Sequence, residues 1–434
     1  MLYCAHMSNL ESPQLETLRQ RFFAPLDRAL NRAHSSRKCQ EYPDQLHLRS
    51  GVGRVIDGSK SGREWVQFFC TLFTLSLSVA NFFAALRSQR RLQLLQEVDK
   101  DVRAQADEQS RKRKDPFEPY PELASFEIYA SDGHTHGASA HEDPIYDKKR
   151  PVSHLFSLNL RTHTAAHLTV TQPKRGKKAE HEIKALKRIG GATLRLGAPK
   201  GTKVIHAYDP AIVDYLQWQK WKRGHGVYVI TVEKANSALM KTARRVWDRQ
   251  APENVGVLSD ETVVSPTGAT LRRVRYQDPV TGEVYRFITN ELTLAPGLIA
   301  FIYKLRWDLE KVFDTFKNKL EQKKAWGKHK FAKAQQAHFI TLAHNLLLML
   351  ENTLDIEEGI VDEKVQVKQA KRLAADVERA LQAGRSPNVL VQQLTRATQR
   401  SFQFIRWLRT GLILNTSWEQ AVVQLRPLML KYLS

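Results

Sequence analysis

Cysteine is scarce in this chain, which has three cysteines among 434 residues. Cys4, Cys39 and Cys70 have neither the spacing of metal ligands nor a plausible disulfide framework. A secretory signal pattern is missing as well, because charged residues such as Glu11 and Arg19 interrupt any apolar segment near the start. These features argue against a disulfide-stabilised secreted scaffold and predict a protein of the reducing cytoplasm.

Long hydrophobic runs are also almost missing. The stretch from Trp65 to Leu86 carries no charge over about 22 residues, a length that could span a bilayer. Polar residues such as Gln67, Thr71 and Asn81 dilute it, and the chain has no second stretch of that kind. The pattern favours a buried helix over a membrane helix.

Acidic residues are outnumbered: 45 Asp and Glu stand against 67 Lys and Arg, so the formal net charge is +22. This excess suits a polyanionic partner, with DNA or RNA first and an anionic membrane second. The basic residues are spread along the chain instead of forming a tail. We therefore expect several segments to line one nucleic-acid path.

The first region, 1–115, shows apolar residues at three- and four-residue spacing, which predicts helices. Between Ser50 and Ser61 the chain is rich in Gly, Ser, Arg and Lys, and we expect a loop there that could lie on phosphates. A basic run, 111–114, ends the region before a series of prolines. We predict a helical DNA-binding region, with a simple packing domain as the alternative.

Strand-like and helical patterns alternate over 116–235. The strand-like run 126–130 is followed by Asp132, and a second such run, 203–208, is followed by Asp209. Three strands, a helix, a strand, a helix and a strand are predicted in all, at 126–130, 153–160, 164–171, 177–189, 203–208, from Pro210 to about 222, and 227–232. This is the order of the ribonuclease-H-like fold, in which neighbouring strand ends bring such carboxylates together.

The segment from Tyr303 to Lys317 predicts an amphipathic helix with a chemical face. At about 100° per residue, Tyr303, Arg306, Glu310 and Lys317 fall within an arc of roughly 60°, beside a separate apolar stripe. That face carries one carboxylate flanked by an aromatic ring and two cations. By spacing alone, solvated charges on an ordinary helix explain it equally well.

The pattern Tyr-x2-Arg-x3-Glu-x6-Lys resembles the signature of bacterial insertion-sequence transposases of the DDE type, and the resemblance covers most of 120–350. It implies that Glu310 is the third metal-binding and catalytic carboxylate beside Asp132 and Asp209. It also implies that Tyr303, Arg306 and Lys317 grip DNA near the cleaved end.

The resemblance implies an enzyme that cleaves the ends of an insertion element and joins them to target DNA. Such chemistry uses two Mg²⁺ ions, for which Mn²⁺ can substitute, and three carboxylates together with DNA oxygens suffice as ligands. The implied partners are double-stranded DNA and a second copy of the chain in a paired-end complex, at the nucleoid and away from the membrane. The alternative is a catalytically silent DNA-binding protein derived from a transposase.

One departure from the family pattern concerns the second aspartate. The family often has Arg directly after it, whereas Pro210 follows Asp209 here. Asp214 is therefore kept as the fallback for this ligand.

A β-rich insertion is predicted at 236–295, with strands at 262–264, 270–276 and 284–289. The resembled family carries an insertion at this point, where an aromatic residue on the last strand holds a base extruded during hairpin formation. Tyr285 is the best-placed match, Phe287 shares its face, and Trp247 is the second candidate; the alternative is that these aromatic residues only pack the insertion.

The remaining helical segments complete the predicted architecture: an α/β core of the ribonuclease-H-like type with helical N- and C-terminal regions. The second part of the catalytic domain covers 296–355, including a helix at 331–354. The helical region 356–434 is expected to serve dimerisation or synapsis.

Histidines suggest a rival site near Asp132. His134 and His136, with His141, His154 and His163 nearby in the sequence, could bind a transition metal. However, His134 and His136 follow Gly133 in a predicted loop, and no cysteine joins them. We expect these two histidines to contact DNA or to face solvent.

Overall fold

The computed structural model describes residues 16–33, 42–74, 76–112, 115–144, 148–172, 180–356, 363–385 and 400–433. Within these residues, one nine-stranded sheet packs against helices from both ends of the chain. The α/β fold class predicted from the sequence is thereby confirmed at this level.

The described part of the first region is helical, as predicted. Its helices are α1 (Leu18–Arg32), α2 (Asp44–Asp57), α3 (Gly62–Phe73), α4 (Val79–Leu86) and α5 (Gln89–Ser110).

The uncharged run at 65–86 belongs to two helices, so the prediction of a single buried helix is wrong. Ser61 and Ser78 begin α3 and α4 as N-cap residues. Between them, Thr74 has a left-handed backbone (φ 50°) and ends α3. In the described part of the chain, no helix is both long and apolar enough to cross a bilayer.

The central sheet has the strand order β3-β2-β1-β4-β5-β9-β8-β7-β6. Strand β1 pairs in parallel with β4, and β4 with β5, while β2 pairs antiparallel with β1 and β3 antiparallel with β2. The bounds are β1 (Phe126–His136), β2 (Val152–Asn159), β3 (Ala165–Val170), β4 (Lys203–Tyr208), β5 (Val227–Val232), β6 (Met240–Arg244), β7 (Val257–Val264), β8 (Thr270–Gln277) and β9 (Val284–Thr289).

Two helices connect the parallel strands: α6 (Glu182–Leu194) lies between β3 and β4, and α7 (Tyr215–His225) lies between β4 and β5. A helix is predicted at 177–189, and α6 begins at Glu182 and ends at Leu194. Residues 177–179 lie outside the described part of the chain. The order of strands and helices predicted from the sequence is the observed one.

The β-rich segment 236–295 is a continuation of the same sheet. Strand β9 pairs antiparallel with β5, with Ile230 opposite Thr289, and β8, β7 and β6 follow outward. This joins the segment to the parallel strands through backbone hydrogen bonds instead of a flexible linker.

Helices cover the C-terminal part of the described chain. A π-helical turn at Thr315–Lys319 follows α9, and the helices are α8 (Pro296–Leu305), α9 (Trp307–Asp314), α10 (Lys330–Ile356), α11 (Glu363–Gln382), α12 (Phe402–Leu414) and α13 (Trp418–Leu433). The stretches 357–362 and 386–399 of the predicted dimerisation region lie outside the described residues.

One hydrophobic core includes residues from the N-terminal helices, the sheet and the C-terminal helices. It includes Leu18 and Val98 from the first region, Ile128 from β1, and Leu346 and Phe404 from the later helices. The apolar faces of α12 and α13 are therefore largely buried against helices of their own chain.

The glycine-rich stretch at 50–61 is mainly helical, so the predicted phosphate-binding loop is wrong for most of its length. Helix α2 runs through this stretch to Asp57, and Gly51 lies against the ring of Phe339 on α10. A Cβ atom at Gly51 would lie 2.2 Å from that ring. Glycine is present here because two helices approach closely, although glycine alone disfavours a helix.

Candidate active site

Two of the predicted carboxylates follow paired positions of neighbouring parallel strands. Ser131 of β1 pairs with Tyr208 of β4. Asp132 directly follows Ser131, and Asp209 directly follows Tyr208. The sequence predicts that Asp132 ends its strand, but β1 continues past it to His136 and pairs with β2. Asp209 follows the last residue of β4 as predicted.

Asp132 lies in a crowded, partly buried position. Its Oδ1 accepts a hydrogen bond from the N–H of Gly133 (2.7 Å). Burial raises the pKa of Asp132 to about 6, and the charges of Asp209 and Glu182 add to this, against the hydrogen bond from Gly133 and the charge of Arg306.

Glu182 is an acidic neighbour of this site that sequence reasoning missed. A Cβ atom at Gly133 would lie 1.9 Å from its Oε1, and that oxygen accepts a hydrogen bond from Ser153 Oγ (3.1 Å). Glu182 lies in the first turn of α6, where an acid complements the helix dipole. Its sequence position is explained by that role alone, so it does not point to a nearby site.

Asp209 is half-buried, and its Oδ1 accepts a hydrogen bond from the N–H of Ala211 (2.8 Å). Its charge acts on both Asp132 and Tyr303. The fallback residue Asp214 caps α7 by accepting a hydrogen bond from the N–H of Gln217 (3.0 Å), and it pairs with Lys187. These contacts give Asp214 a structural role of its own.

The signature segment brings Glu310 to the same edge of the sheet. Arg306 lies at the junction of α8 and α9, and its guanidinium contacts both Asp132 Oδ2 (Nη1, 3.2 Å) and Glu310 Oε1 (Nη2, 3.0 Å). The guanidinium also lies over the ring of Tyr303, 5.4 Å from its centroid. The structure thus brings Tyr303, Arg306 and Glu310 together with Asp132.

Lys317 departs from the predicted helix geometry. It lies on the π-helical turn, in which Leu320 N–H donates to Thr315 O (2.9 Å), and a uniform 100° step does not apply there. Its side chain is exposed, and its charge acts on His134, whose pKa falls to about 4, mainly through burial.

The histidines near Asp132 are interior residues, so the expectation that they face DNA or solvent is wrong. Strand alternation continues past Gly133 and turns His134 and His136 toward the core, where each is less than a tenth exposed. Their ring centroids are 4.9 Å apart, and His154 follows at 4.8 Å from His136. Among the described residues, no group of three His, Cys, Asp or Glu side chains is arranged to hold a metal ion.

A stack of aromatic rings leads from β9 toward the carboxylates. The rings of Tyr285 and Phe287 are nearly parallel (12°) at 5.8 Å, and Phe287 lies 5.2 Å from Tyr303. Tyr285 is half-buried, with its hydroxyl donating to Glu283 (2.6 Å). Trp247, the second candidate, is half-buried beneath the guanidinium of Arg249, 5.0 Å from its ring.

Comparison with known proteins leaves the family open. No family model and no curated protein matches the chain. Among solved structures, it is similar to an Argonaute from Aquifex aeolicus at 10% identity and a TM-score of 0.20, over 57% of this chain and 33% of that one. The chain thus spans about a third of that protein's length. A likeness this small assigns neither fold nor function.

The chemistry available at this edge therefore rests on the residues themselves. Asp132 and Glu310 contact one arginine, Asp209 lies near enough for its charge to act on Asp132, and stacked rings lead up to Tyr303 beside that arginine. Arg306 already pairs with two of these acids, in a chain of net charge +22.

Proposed function

We propose that this chain is a DDE-type DNA transposase that cleaves the ends of an insertion element and joins them to target DNA. The observation that carries the proposal is the juxtaposition of Asp132 and Asp209 on neighbouring parallel strands, with Glu310 linked to Asp132 through Arg306. DNA binding alone does not need three acids in a strongly basic chain.

The strand order supports a ribonuclease-H-like core within the larger sheet. Strands β3-β2-β1-β4-β5 run in that spatial order, with β1, β4 and β5 parallel. In such a sheet, ligands bind outside the carboxyl ends of the strands. Asp209 follows the last residue of β4, and Asp132 lies within β1 directly after the last residue that pairs with β4.

The donor set fits Mg²⁺ in kind, because carboxylate oxygens are the hard ligands that this ion prefers. Asp132, Asp209 and Glu310 would hold it, with DNA oxygens completing the coordination. When bound, two such ions activate a water or 3′-hydroxyl and stabilise the leaving oxygen. The carboxylates themselves need only be brought around the ions by β1, β4 and α9.

The cations and aromatic rings beside the acids would bind the DNA strand. Arg306 and Lys317 suit phosphate oxygens, and Tyr303 supports the guanidinium of Arg306 through its ring. The aromatic stack ending at Tyr285 offers a platform for an unstacked base. Binding should therefore weaken as salt rises.

A homodimer that pairs two element ends at the nucleoid completes the proposal. Cut-and-paste chemistry must coordinate two ends, and exposed apolar residues remain on the C-terminal helices, including Trp407 and Val423. Light scattering of the purified protein–DNA complex tests this: two protomers with two ends are expected. One protomer on one end in the active species would rule the dimer out.

The decisive experiment incubates the purified full chain with Mg²⁺ and the ends of its own element. Cleavage should require the metal, and Asp132→Asn and Glu310→Gln should each abolish it while leaving DNA binding largely intact. A wild-type protein that binds these ends but never cuts them, with either Mg²⁺ or Mn²⁺, would favour the catalytically silent alternative.

A further inference from the structure

The guanidinium of Arg306 is held between two acids of the candidate site. Its two Nη atoms contact Asp132 Oδ2 at 3.2 Å and Glu310 Oε1 at 3.0 Å, and its side chain is only 10% exposed. Tyr303 covers it on another side. Arg306 is therefore part of the site's interior and not a surface cation.

These contacts commit the oxygens that a metal ion would use. Asp132 Oδ1 already accepts a hydrogen bond from Gly133 N–H (2.7 Å), and Oδ2 is the oxygen that Arg306 holds. Glu310 Oε1 is held by the same guanidinium. A divalent cation bound through Asp132 Oδ2 and Glu310 Oε1 therefore competes with Arg306 for these two oxygens, and the positive charge of the guanidinium repels it.

The Arg306 side chain retains an unused donor. Its Nε lies buried without a hydrogen-bond partner among the described residues. A phosphodiester can accept from Nε and an Nη together, in the bidentate geometry that suits guanidinium groups. A buried donor without a partner is unfavourable, so a phosphate reaching this face would gain a contact that the carboxylates leave unmade.

The backbone places Arg306 where a side chain can change partners. It lies at the junction between α8 and α9, where hydrogen bonding shortens by one residue: Arg306 N–H donates to Tyr303 O (3.1 Å) and Leu309 N–H to Arg306 O (3.0 Å). The exposed residue Trp307 follows directly, so the junction faces solvent on one side.

We propose that Arg306 is a DNA-operated gate on the metal site: it occupies Asp132 and Glu310 until a DNA phosphate draws the guanidinium away and releases both carboxylates for the metal. The inference rests on the proposed function and adds an order of events to it. Because linkage is reciprocal, DNA should raise metal affinity by the same factor by which metal raises DNA affinity. The gate would limit metal loading, and hence cleavage, to chains that already hold DNA.

The test measures Mn²⁺ binding to the full chain, with and without a short DNA duplex. The concentration of free Mn²⁺ is read from its electron paramagnetic resonance signal. Without DNA, Arg306→Gln should bind Mn²⁺ more tightly than wild type, on the order of tenfold. Adding the duplex should raise the affinity of wild type by a similar factor and change that of Arg306→Gln much less. Arg306→Lys, which keeps the charge but lacks the planar fork, should lie between them.

A matched control is Lys311→Gln, which removes one positive charge next to Glu310 from a side chain paired with Asp308 (2.8 Å). It should behave as wild type, which separates gating from a general change in charge. Equal Mn²⁺ affinity of Arg306→Gln and Lys311→Gln without DNA would overturn the gate.

The double variant Arg306→Gln with Asp132→Asn distinguishes this failure from failure of the proposed function. Mn²⁺ binding that depends on Asp132, but is unaffected by Arg306→Gln, would overturn the gate and keep the metal site. Mn²⁺ binding that is indifferent to Asp132 in every background would overturn both.

Discussion

Arg272 is predicted to be one of the most stability-critical residues of the sheet. It lies on β8, is 2% exposed, and pairs with Asp260 of β7 through two hydrogen bonds (Nε–Oδ1 2.9 Å, Nη2–Oδ2 2.7 Å). Its Nη1 donates to Leu294 O (2.7 Å), just before α8 begins. The side chain thus ties the outer strands to the segment that leads toward Glu310.

Replacing Arg272 with Met should remove about 3–5 kcal/mol of unfolding free energy. The buried carboxylate of Asp260 keeps only the longer contact with Arg245 (3.5 Å), and buried Glu291 loses a cation 3.7 Å away. The matched control is Arg275→Met on the same strand, where the side chain is exposed and the expected change is within about 0.5 kcal/mol. A double variant with Asp260→Leu should recover part of the loss, since it removes the buried Asp260 charge, while Glu291 still lacks the Arg272 cation.

Urea unfolding followed by far-ultraviolet circular dichroism and by tryptophan fluorescence measures these differences. The two signals also report whether the sheet unfolds with the rest of the chain or separately. If Arg272→Met and Arg275→Met lose the same small amount, the argument from burial is refuted.

Three further predictions follow from the packing. Tyr285→Ala should lower hairpin yield and suppress the fluorescence of a base analogue at the cleaved end, because the aromatic platform is lost; unchanged yield and signal would remove this role. Acidification should destabilise the fold: burial lowers the pKa of His136 to about 3 and that of His154 well below its usual value, so the unfolded chain binds protons first. Stability should therefore fall below pH about 6.5, by up to about 1.4 kcal/mol per unit for each histidine, and a urea midpoint equal at pH 7.5 and 5 would contradict this. Gly51→Ala should cost about 1–3 kcal/mol through its clash with Phe339, and an unchanged melting temperature would contradict the close approach of α2 and α10.

The sequence predicts the elements around the site well, because local patterns determine them. The strands at 203–208 and 227–232 are found at the predicted bounds, and Asp209 directly follows the first of them, as predicted. Periodicity likewise predicted helical structure around Glu310, but the single helix predicted from Tyr303 to Lys317 is divided at Arg306 between α8 and α9 and ends in a π-helical turn.

The errors have tertiary causes. Gly133 suggested the end of a strand, but β2 pairs with β1 on both sides of it, and Glu182 occupies the space that a side chain would need. Gly51 suggested a loop, whereas Phe339, nearly three hundred residues later, requires a glycine inside a helix. Neither partner is visible in a local window of sequence.

The electrostatic arrangement of the site was also beyond local reasoning. Spacing placed Arg306 and Glu310 on one helix face, but the bridge to Asp132 depends on how α9 packs against β1. The predicted angular position of Lys317 fails for a different reason, because a π-helical turn interrupts the regular step of about 100° per residue.

The central claim is tested most directly by comparing Asp209→Asn with Asp214→Asn in Mg²⁺-dependent cleavage of the element's own ends. Both variants remove one acid near β4, but Asp209 belongs to the proposed metal site and Asp214 caps α7. We expect Asp209→Asn to abolish cleavage with DNA binding retained, and Asp214→Asn to retain cleavage with a modest loss of stability. Near-normal cleavage by Asp209→Asn would contradict the proposed catalytic site.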